Sequence, residues 1–156
     1  MKTLEEITYE AGRDALADQE SLVAGIRART GTLLAAQALV ASFLGGAAIR
    51  AHGFHVLAWL AIVALVVGLG LAAIVLAPWK LKFALDAKEL YRELYPQAVA
   101  EADAETLGWL AAAGFGYQEL RVENAKRVRR MSGLSGGLGV LMIAQTILWL
   151  GALRLH

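Results

Sequence analysis

Three long uncharged stretches dominate the pattern of hydrophobic and polar positions along the chain. They cover residues 30–49, 53–79 and 131–153, and they consist mainly of Leu, Val, Ile, Ala and Gly with no polar face of helical period. About 20 apolar residues in a helix cross the hydrocarbon core of a bilayer. Because backbone groups in a bilayer must be hydrogen-bonded within the segment, the pattern predicts three transmembrane helices and an all-α membrane protein.

The basic residues predict how these spans are oriented. Of the 15 Lys and Arg residues, all but Arg50 and Arg154 precede the first span or lie between the second and the third. The positive-inside rule then predicts a cytoplasmic N-terminus, a short outer loop at residues 50–53 and a C-terminus outside. Residues 1–29 are rich in acids, which is atypical of a signal peptide, so we expect this segment to be retained.

The cytoplasmic segments have the spacing of amphipathic helices. Residues 80–130 are predicted to form a helical hairpin, whose first helix continues the second span over residues 80–95 and stops at Pro96. Its second helix covers residues 97–130, with Gly114 and Gly116 as candidate breaks. The N-terminal segment shows a thinner stripe at Leu4, Ile7, Ala11, Leu22 and Ile26. Because so small a helical assembly has little core of its own, we expect other copies of the chain to cover these stripes.

Composition excludes several classes of function. The chain is 58% hydrophobic and 19% charged, has a net charge of +1 and contains no cysteine. It therefore has no disulfide, no thiolate metal site and no cysteine nucleophile. No Asp, Glu, Lys or Arg lies inside a span, which argues against a proton-coupled transporter. The sequence has no phosphate-binding loop, catalytic triad or paired-carboxylate motif, so we expect neither enzymatic activity nor a cofactor.

Polar side chains within the spans are candidates for lining a pore. Gln37 and Gln145 lie near the middles of the first and third spans, with Ser42 and Thr146 close by. Such residues either form hydrogen bonds between helices or line a water-filled path. The sequence leaves both interpretations open.

Small residues at the start of the third span are candidates for helix packing. Gly133 and Gly137 are four residues apart, as are Ser135 and Gly139, and this spacing lets helix backbones approach closely. The contact is either with the other spans of the same chain or with another subunit.

A basic cluster precedes the third span. It consists of Lys126, Arg127, Arg129 and Arg130. The cluster either attracts anionic lipid headgroups or binds an anionic ligand such as a nucleotide or short oligonucleotide. Trp109, Phe115 and Tyr117 lie near enough in sequence to stack on a base.

His52 and His55 have a spacing that is compatible with metal binding. No third ligand lies nearby in the sequence, so we expect no metal site there.

Several strings resemble small bacterial membrane proteins of the SLATT type. They are RTGTLLAA at residues 29–36, FALDAKEL at residues 83–90 and ENAKR at residues 123–127, together with Ala47 at the end of the first span. The order of an N-terminal helix, two close spans, a cytoplasmic helical insert and a third span is also similar. Residues 96–118 match least.

The resemblance implies a pore-forming effector of an antiphage conflict system in the bacterial inner membrane. Such proteins are often paired with a nucleotidyltransferase that is encoded nearby and makes a nucleotide signal. The favoured hypothesis is therefore a homo-oligomeric channel that is gated by an anionic signal and dissipates ion gradients when open. The alternative is a non-conducting scaffold that anchors a cytoplasmic partner at the bilayer.

Overall fold

Helices account for most of the described chain. The structure is a computed structural model that describes residues 4–84 and 104–154. Its elements are α1 (Leu4–Val40), a π-helical segment (Ala41–Gly45), α2 (Gly46–His52), α3 (Val56–Leu76) and α4 (Ala104–Arg154). Within these two ranges the chain forms no β-strand.

Three helical stretches are long and apolar enough to cross a membrane. They are Leu4–Ala51, Val56–Leu76 and Gly108–Arg154. With 21 residues, α3 is about 32 Å long, close to the thickness of a hydrocarbon core. α1 and α4 have 37 and 51 residues, so they extend well beyond the length that a span needs. The predicted all-α membrane fold is confirmed.

The chain divides into two compact units. The first contains Met1–Val23 and Trp79–Val128, and the second contains Ala24–Pro78 and Arg129–His156. α1 and α4 each contribute residues to both units.

Within the first unit, α1 and α4 run parallel. The rings of Tyr9 and Tyr117 meet edge to face with their centroids 5.8 Å apart. Farther along both helices, Nε2 of Gln19 donates a hydrogen bond to the carbonyl oxygen of Arg121 at 3.1 Å.

Glycines allow the two helices of the first unit to touch backbone to backbone. A Cβ atom on Gly12 would lie 2.5 Å from the carbonyl oxygen of Gly114, and one on Gly114 would lie 2.7 Å from that of Thr8. A side chain at either glycine would push the helices apart. The helix nevertheless continues through Gly114 and Gly116, so the break considered from the sequence is not formed. Close packing, rather than an end of the helix, accounts for Gly114.

In the second unit, α3 runs antiparallel to α4. Gln145 of α4 lies level with Ala64 of α3, because Gln37 of α1 hydrogen-bonds to both residues. Leu57, earlier in α3, packs against Gly151, later in α4. The arrangement is that of consecutive crossings of a membrane.

Buried positions on α4 follow a heptad repeat in both units. From residue 124 onward they are spaced by three, four or seven residues: Asn124, Val128, Met131, Ser135, Leu138, Gln145, Trp149 and Ala152. On α1 the buried positions are Gly12, Leu16, Val23, Thr30 and Gln37, which are four or seven residues apart. A period of 3.5 residues is that of helices packed as in a left-handed coiled coil.

A π-helical segment interrupts the first span where it passes Trp149. This side chain is 2% exposed, and a Cβ atom on Gly45 of the π-helical segment would lie 3.0 Å from its ring. Trp149 belongs to the core cluster of the second unit, together with Ala48, Ala58, Ala61 and Ala152. Because Gly45 has no side chain, the indole ring of Trp149 fits between the helices.

The predicted continuation of the second span into residues 80–95 is wrong. α3 ends at Leu76, and residues 77–84 are not helical. Pro78 explains this end, because a proline disfavours helical geometry in the residue before it, and Ala77 has an extended ψ of 150°. The remainder of that predicted helix, residues 85–95, lies outside the described residues, as do residues 97–103 of the second predicted helix.

The outer connection lies slightly later than the sequence indicates. α2 continues to His52, and the chain turns at Gly53, whose φ of 70° favours glycine. α3 then begins at Val56. The connection therefore covers residues 53–55 instead of the predicted 50–53.

Candidate functional site

Two buried amides meet between the first and third spans. Nε2 of Gln37 donates a hydrogen bond to Oε1 of Gln145 at 2.6 Å and lies 3.4 Å from the carbonyl oxygen of Ala64. Both glutamines are fully buried. A Cβ atom on Gly68 would overlap the Gln37 amide, so glycine at this residue of α3 makes room for the pair. The contact joins all three spans.

A second polar pair lies one heptad earlier on α1. The Thr30 hydroxyl lies 2.9 Å from that of Ser135 and 2.8 Å from the carbonyl oxygen of Ile26. Thr30 and Ser135 are 0% and 3% exposed. Together with Gln37 and Gln145, this pair shows that α1 and α4 are parallel in the second unit.

The amide geometry favours the packing interpretation of the two glutamines. Their side chains face each other inside a single chain, and hydrogen bonds between helices in membranes contribute about 0.6 kcal/mol on average. Oε1 of Gln37 and Nε2 of Gln145 have no hydrogen-bond partner among the described residues. A hydrogen bond therefore joins the two amides, but one polar atom of each amide lacks a partner among the described residues.

The other two pore candidates lie in different surroundings. Thr146 is partly buried, and its hydroxyl donates to the carbonyl oxygen of Met142 in its own helix at 2.9 Å. Ser42 is exposed and lies in the π-helical segment. Ser42 is thus the only one of the four candidates that lies on the outer surface of a single chain.

The small residues of α4 separate into two faces. Ser135 pairs with Thr30, and a Cβ atom on Gly139 would lie 3.9 Å from Leu33, so these residues pack within the chain. Gly133 and Gly137 are exposed, and a Cβ atom on either would meet no described atom within 4 Å. Ser135 and Gly139 therefore pack against α1, whereas Gly133 and Gly137 face away from their own chain.

Part of the basic cluster holds the segment that follows α3. Nδ2 of Asn124 donates to the carbonyl oxygen of Lys82 at 2.7 Å, and the Lys82 amide lies 3.4 Å from Oδ1 of Asn124. Nη1 of Arg127 donates to the carbonyl oxygen of Lys80 at 2.6 Å. We call these three contacts the α4 clamp. It holds a non-helical segment by its backbone, so Arg127 has a structural role within the chain.

The remaining basic residues lie mostly at the surface. Lys126, Arg129 and Arg130 are exposed, whereas Arg127 is partly buried. The exposed residues are the ones that present positive charge to an anion or a lipid headgroup.

Only one of the three aromatic residues near the cluster is exposed. Phe115 is 66% exposed, whereas Trp109 is partly buried and Tyr117 packs against Tyr9. Burial raises the pKa of the Tyr117 phenol above 10.0, and the neighbouring Tyr9 raises this pKa further. The phenol therefore stays neutral at physiological pH. Phe115 is therefore the one of these three aromatic side chains whose ring is largely accessible.

The sequence predicts no metal site at His52 and His55, which lie near the outer connection. The His52 side chain lies outside the description, and Nδ1 of His55 lies 3.3 Å from the carbonyl oxygen of Gly53. The described residues hold no group of three or more His, Cys, Asp or Glu side chains that could bind a metal ion.

Two features of the site were missed from the sequence. Asn124 lies in the predicted second cytoplasmic helix without any signal of its own, although a buried amide in a helix requires a polar partner. The end of α3 was missed because Pro78 lies inside an otherwise apolar run. Taken together, a proline after a span and an asparagine on a buried face would have indicated a non-helical segment held by side chains.

Comparisons with protein-family models, with curated proteins and with solved structures find no match for this chain.

A double-mutant cycle tests the amide pair. We expect Gln37→Met or Gln145→Met alone to lower the free energy of unfolding by about 1–2 kcal/mol, because each leaves the other amide buried without its partner. The double variant should recover part of this loss, with a coupling energy of about 0.6–1.7 kcal/mol. Unfolding in mixed micelles, followed by circular dichroism, measures these values. Thr146→Val is the control, since its hydroxyl bonds only within its own helix, and strictly additive effects at the two glutamines would contradict the pairing.

Limited proteolysis tests the α4 clamp. Asn124→Ala and Arg127→Gln should speed tryptic cleavage after Lys80 and Lys82, because both variants release backbone contacts of that segment. Arg129→Gln removes an exposed charge without touching the clamp and should leave the cleavage rate unchanged. Equal cleavage rates in all variants and the native chain would show that the clamp does not restrain the segment.

Proposed function

We propose that the chain is a subunit of a homo-oligomeric channel in a bacterial inner membrane. Its cytoplasmic helices respond to an anionic nucleotide or short oligonucleotide, and the open channel dissipates ion gradients. In this proposal the channel is an effector of antiphage defence, and a nucleotidyltransferase encoded nearby supplies the signal. The N-terminus is cytoplasmic and the C-terminus lies outside.

Exposed apolar side chains in the first unit are the observation that carries the proposed assembly. Leu4, Phe115 and Val122 are 75%, 66% and 72% exposed, and Ile7 and Leu22 are exposed as well. These residues lie outside the three uncharged stretches, where water would surround them in a monomer. Burying them against other copies removes that apolar surface from water.

The interior of the spans supports a channel more than a transporter. No Asp, Glu, Lys or Arg lies in the three uncharged stretches, so a proton relay of carboxylates is not available there. The polar pairs Thr30–Ser135 and Gln37–Gln145 are buried within one chain. A water-filled path therefore has to lie between copies of the chain.

The charge on α4 supports an anionic signal. Lys126 and Arg129 are exposed, whereas Arg127 is engaged by the Lys80 carbonyl. We assign anion binding to the exposed residues and a positioning role to Arg127. A ligand shifts the balance between open and closed channels only if it binds one of the two states more tightly.

The resemblance to SLATT-type proteins supports the same function. It rests on the strings at residues 29–36, 83–90 and 123–127 and on the order of the helices. The observed succession of a long first helix, a short outer connection, α3 and a long last helix is compatible with that order.

The buried Gln37–Gln145 pair favours a second candidate, a membrane scaffold. If these amides serve packing alone, the chain needs no conducting path and simply anchors a cytoplasmic partner. The scaffold and the channel differ in conductance, which is directly measurable.

Planar-bilayer recording of the purified oligomer tests the proposal. We expect discrete conductance steps whose frequency changes when cyclic dinucleotides or short oligoadenylates are added to the cytoplasmic side. The double variant Lys126→Gln with Arg129→Gln should conduct with a weaker response, because it lacks two of the three exposed charges of the cluster but retains the α4 clamp. An intact oligomer that never conducts, with or without these nucleotides, would contradict the channel and favour the scaffold.

A further inference from the structure

Small residues flank the buried Thr30–Ser135 pair on both helices. Ala28 and Thr32 lie two residues to either side of Thr30, and Gly133 and Gly137 lie two residues to either side of Ser135. Two residues of an α-helix turn by about 200°, so these four residues point away from the buried contact. All four are exposed.

The Thr30–Ser135 hydrogen bond places the two exposed faces at one depth in the membrane. The hydroxyls are 2.9 Å apart and the helices are parallel, so Ala28 and Thr32 lie level with Gly133 and Gly137. Copies arranged around an axis normal to the membrane keep every residue at its own depth. A contact between these two faces therefore meets the depth requirement without tilting any copy.

The exposed face of α3 has a different composition. It carries large apolar side chains along its length: Val56, Trp59, Leu60, Val63, Val66, Val67, Leu69, Ile74 and Leu76. Such a face suits lipid. At the level of Thr30 the exposed faces of α1 and α4 include Ala28, Gly133 and Gly137, whose small size allows another helix backbone to approach closely. Arg29 is also exposed at this level.

A polar group on the outer face of the first span also requires a neighbour. Ser42 is exposed in the π-helical segment, and its hydroxyl forms no hydrogen bond with the described residues. A hydroxyl in hydrocarbon without a partner is unfavourable. Ser42 lies ten residues after Thr32 along the first span. A neighbouring copy or a water-filled axis satisfies it, whereas lipid does not.

We propose that the outer face of α1 at Ala28 and Thr32 packs against the Gly133–Gly137 face of α4 in the next copy. This contact requires the proposed homo-oligomer, but it does not require that the oligomer conducts ions. It joins two different surfaces, so it is heterologous and forms a ring when the rotation between copies closes. The inner wall of that ring alternates parallel α1 and α4 helices, with α3 towards the lipid.

Cysteine cross-linking tests this contact, because the native chain has no cysteine. Two differently tagged single variants, Thr32→Cys and Gly137→Cys, are co-expressed, and the membranes are oxidised. We expect a disulfide-linked dimer that carries both tags. Gly70→Cys, at an exposed residue of α3 close to the depth of Gly137, replaces Thr32→Cys as the matched control and should give no mixed dimer.

Two outcomes of the cross-linking would overturn the proposed contact. One is the absence of the mixed dimer in membranes where an amine-reactive reagent still links the copies. The other is dimers of Thr32→Cys alone that form as readily as the mixed dimer, since this indicates that like faces meet.

Leucine substitutions provide a second test that does not depend on disulfide geometry. Gly137→Leu should shift the protein from oligomer to smaller species in size-exclusion chromatography, because it blocks close approach of the next copy. Gly70→Leu, at an exposed glycine of α3 that also has no atom within 4 Å, should leave the oligomer intact. If both variants keep the native oligomer, the proposed contact is wrong.

Conductance is measured separately on the cross-linked oligomer. Mixed dimers without conductance support the contact and contradict the channel. Conductance without mixed dimers supports the channel and contradicts the contact.

Discussion

The parallel contact between α1 and α4 is the interaction on which the rest of the structure depends. Each helix buries a face with a spacing near 3.5 residues, and the two faces meet through apolar residues and two polar pairs. In hydrocarbon, apolar packing alone gives little preference for one register, because lipid is as apolar as leucine. The pairs Thr30–Ser135 and Gln37–Gln145 supply that preference, since a shift of either helix leaves buried polar groups without partners. The register in turn decides which small residues face outward.

Glycine residues allow the helices to approach closely, and a proline determines where α3 ends. Gly12 and Gly114 let the helices touch in the first unit, and Gly68 makes room for the glutamine pair in the second. Pro78 ends α3 and leaves a segment whose backbone groups lack helical partners, and the clamp of Asn124 and Arg127 satisfies several of them. This explains why a basic residue beside a membrane span has a structural role as well as an electrostatic one.

The sequence alone predicts the number and approximate limits of the spans, because length and apolar composition are sufficient for a helix in a bilayer. It also identifies Gln37, Gln145, Gly133 and Ser135 as notable residues. It does not reveal which of them face inward, since that depends on the register between α1 and α4, which is set by contacts more than 100 residues apart in the chain. The end of α3 at Leu76 follows from Pro78, a local signal that the long apolar run obscured. The π-helical segment has no sequence signature comparable to a proline, and it becomes understandable only with Trp149 packed on Gly45.

The proposed topology of three crossings places the two ends of the described chain on opposite sides of the membrane. Labelling of Leu4→Cys and Arg154→Cys in intact cells with a membrane-impermeant maleimide measures this directly, since no native cysteine interferes. We expect Arg154→Cys to react in intact cells and Leu4→Cys to react only after lysis. Labelling of both residues, or of neither, in intact cells would contradict an arrangement in which α1 and α4 cross the bilayer in the same direction.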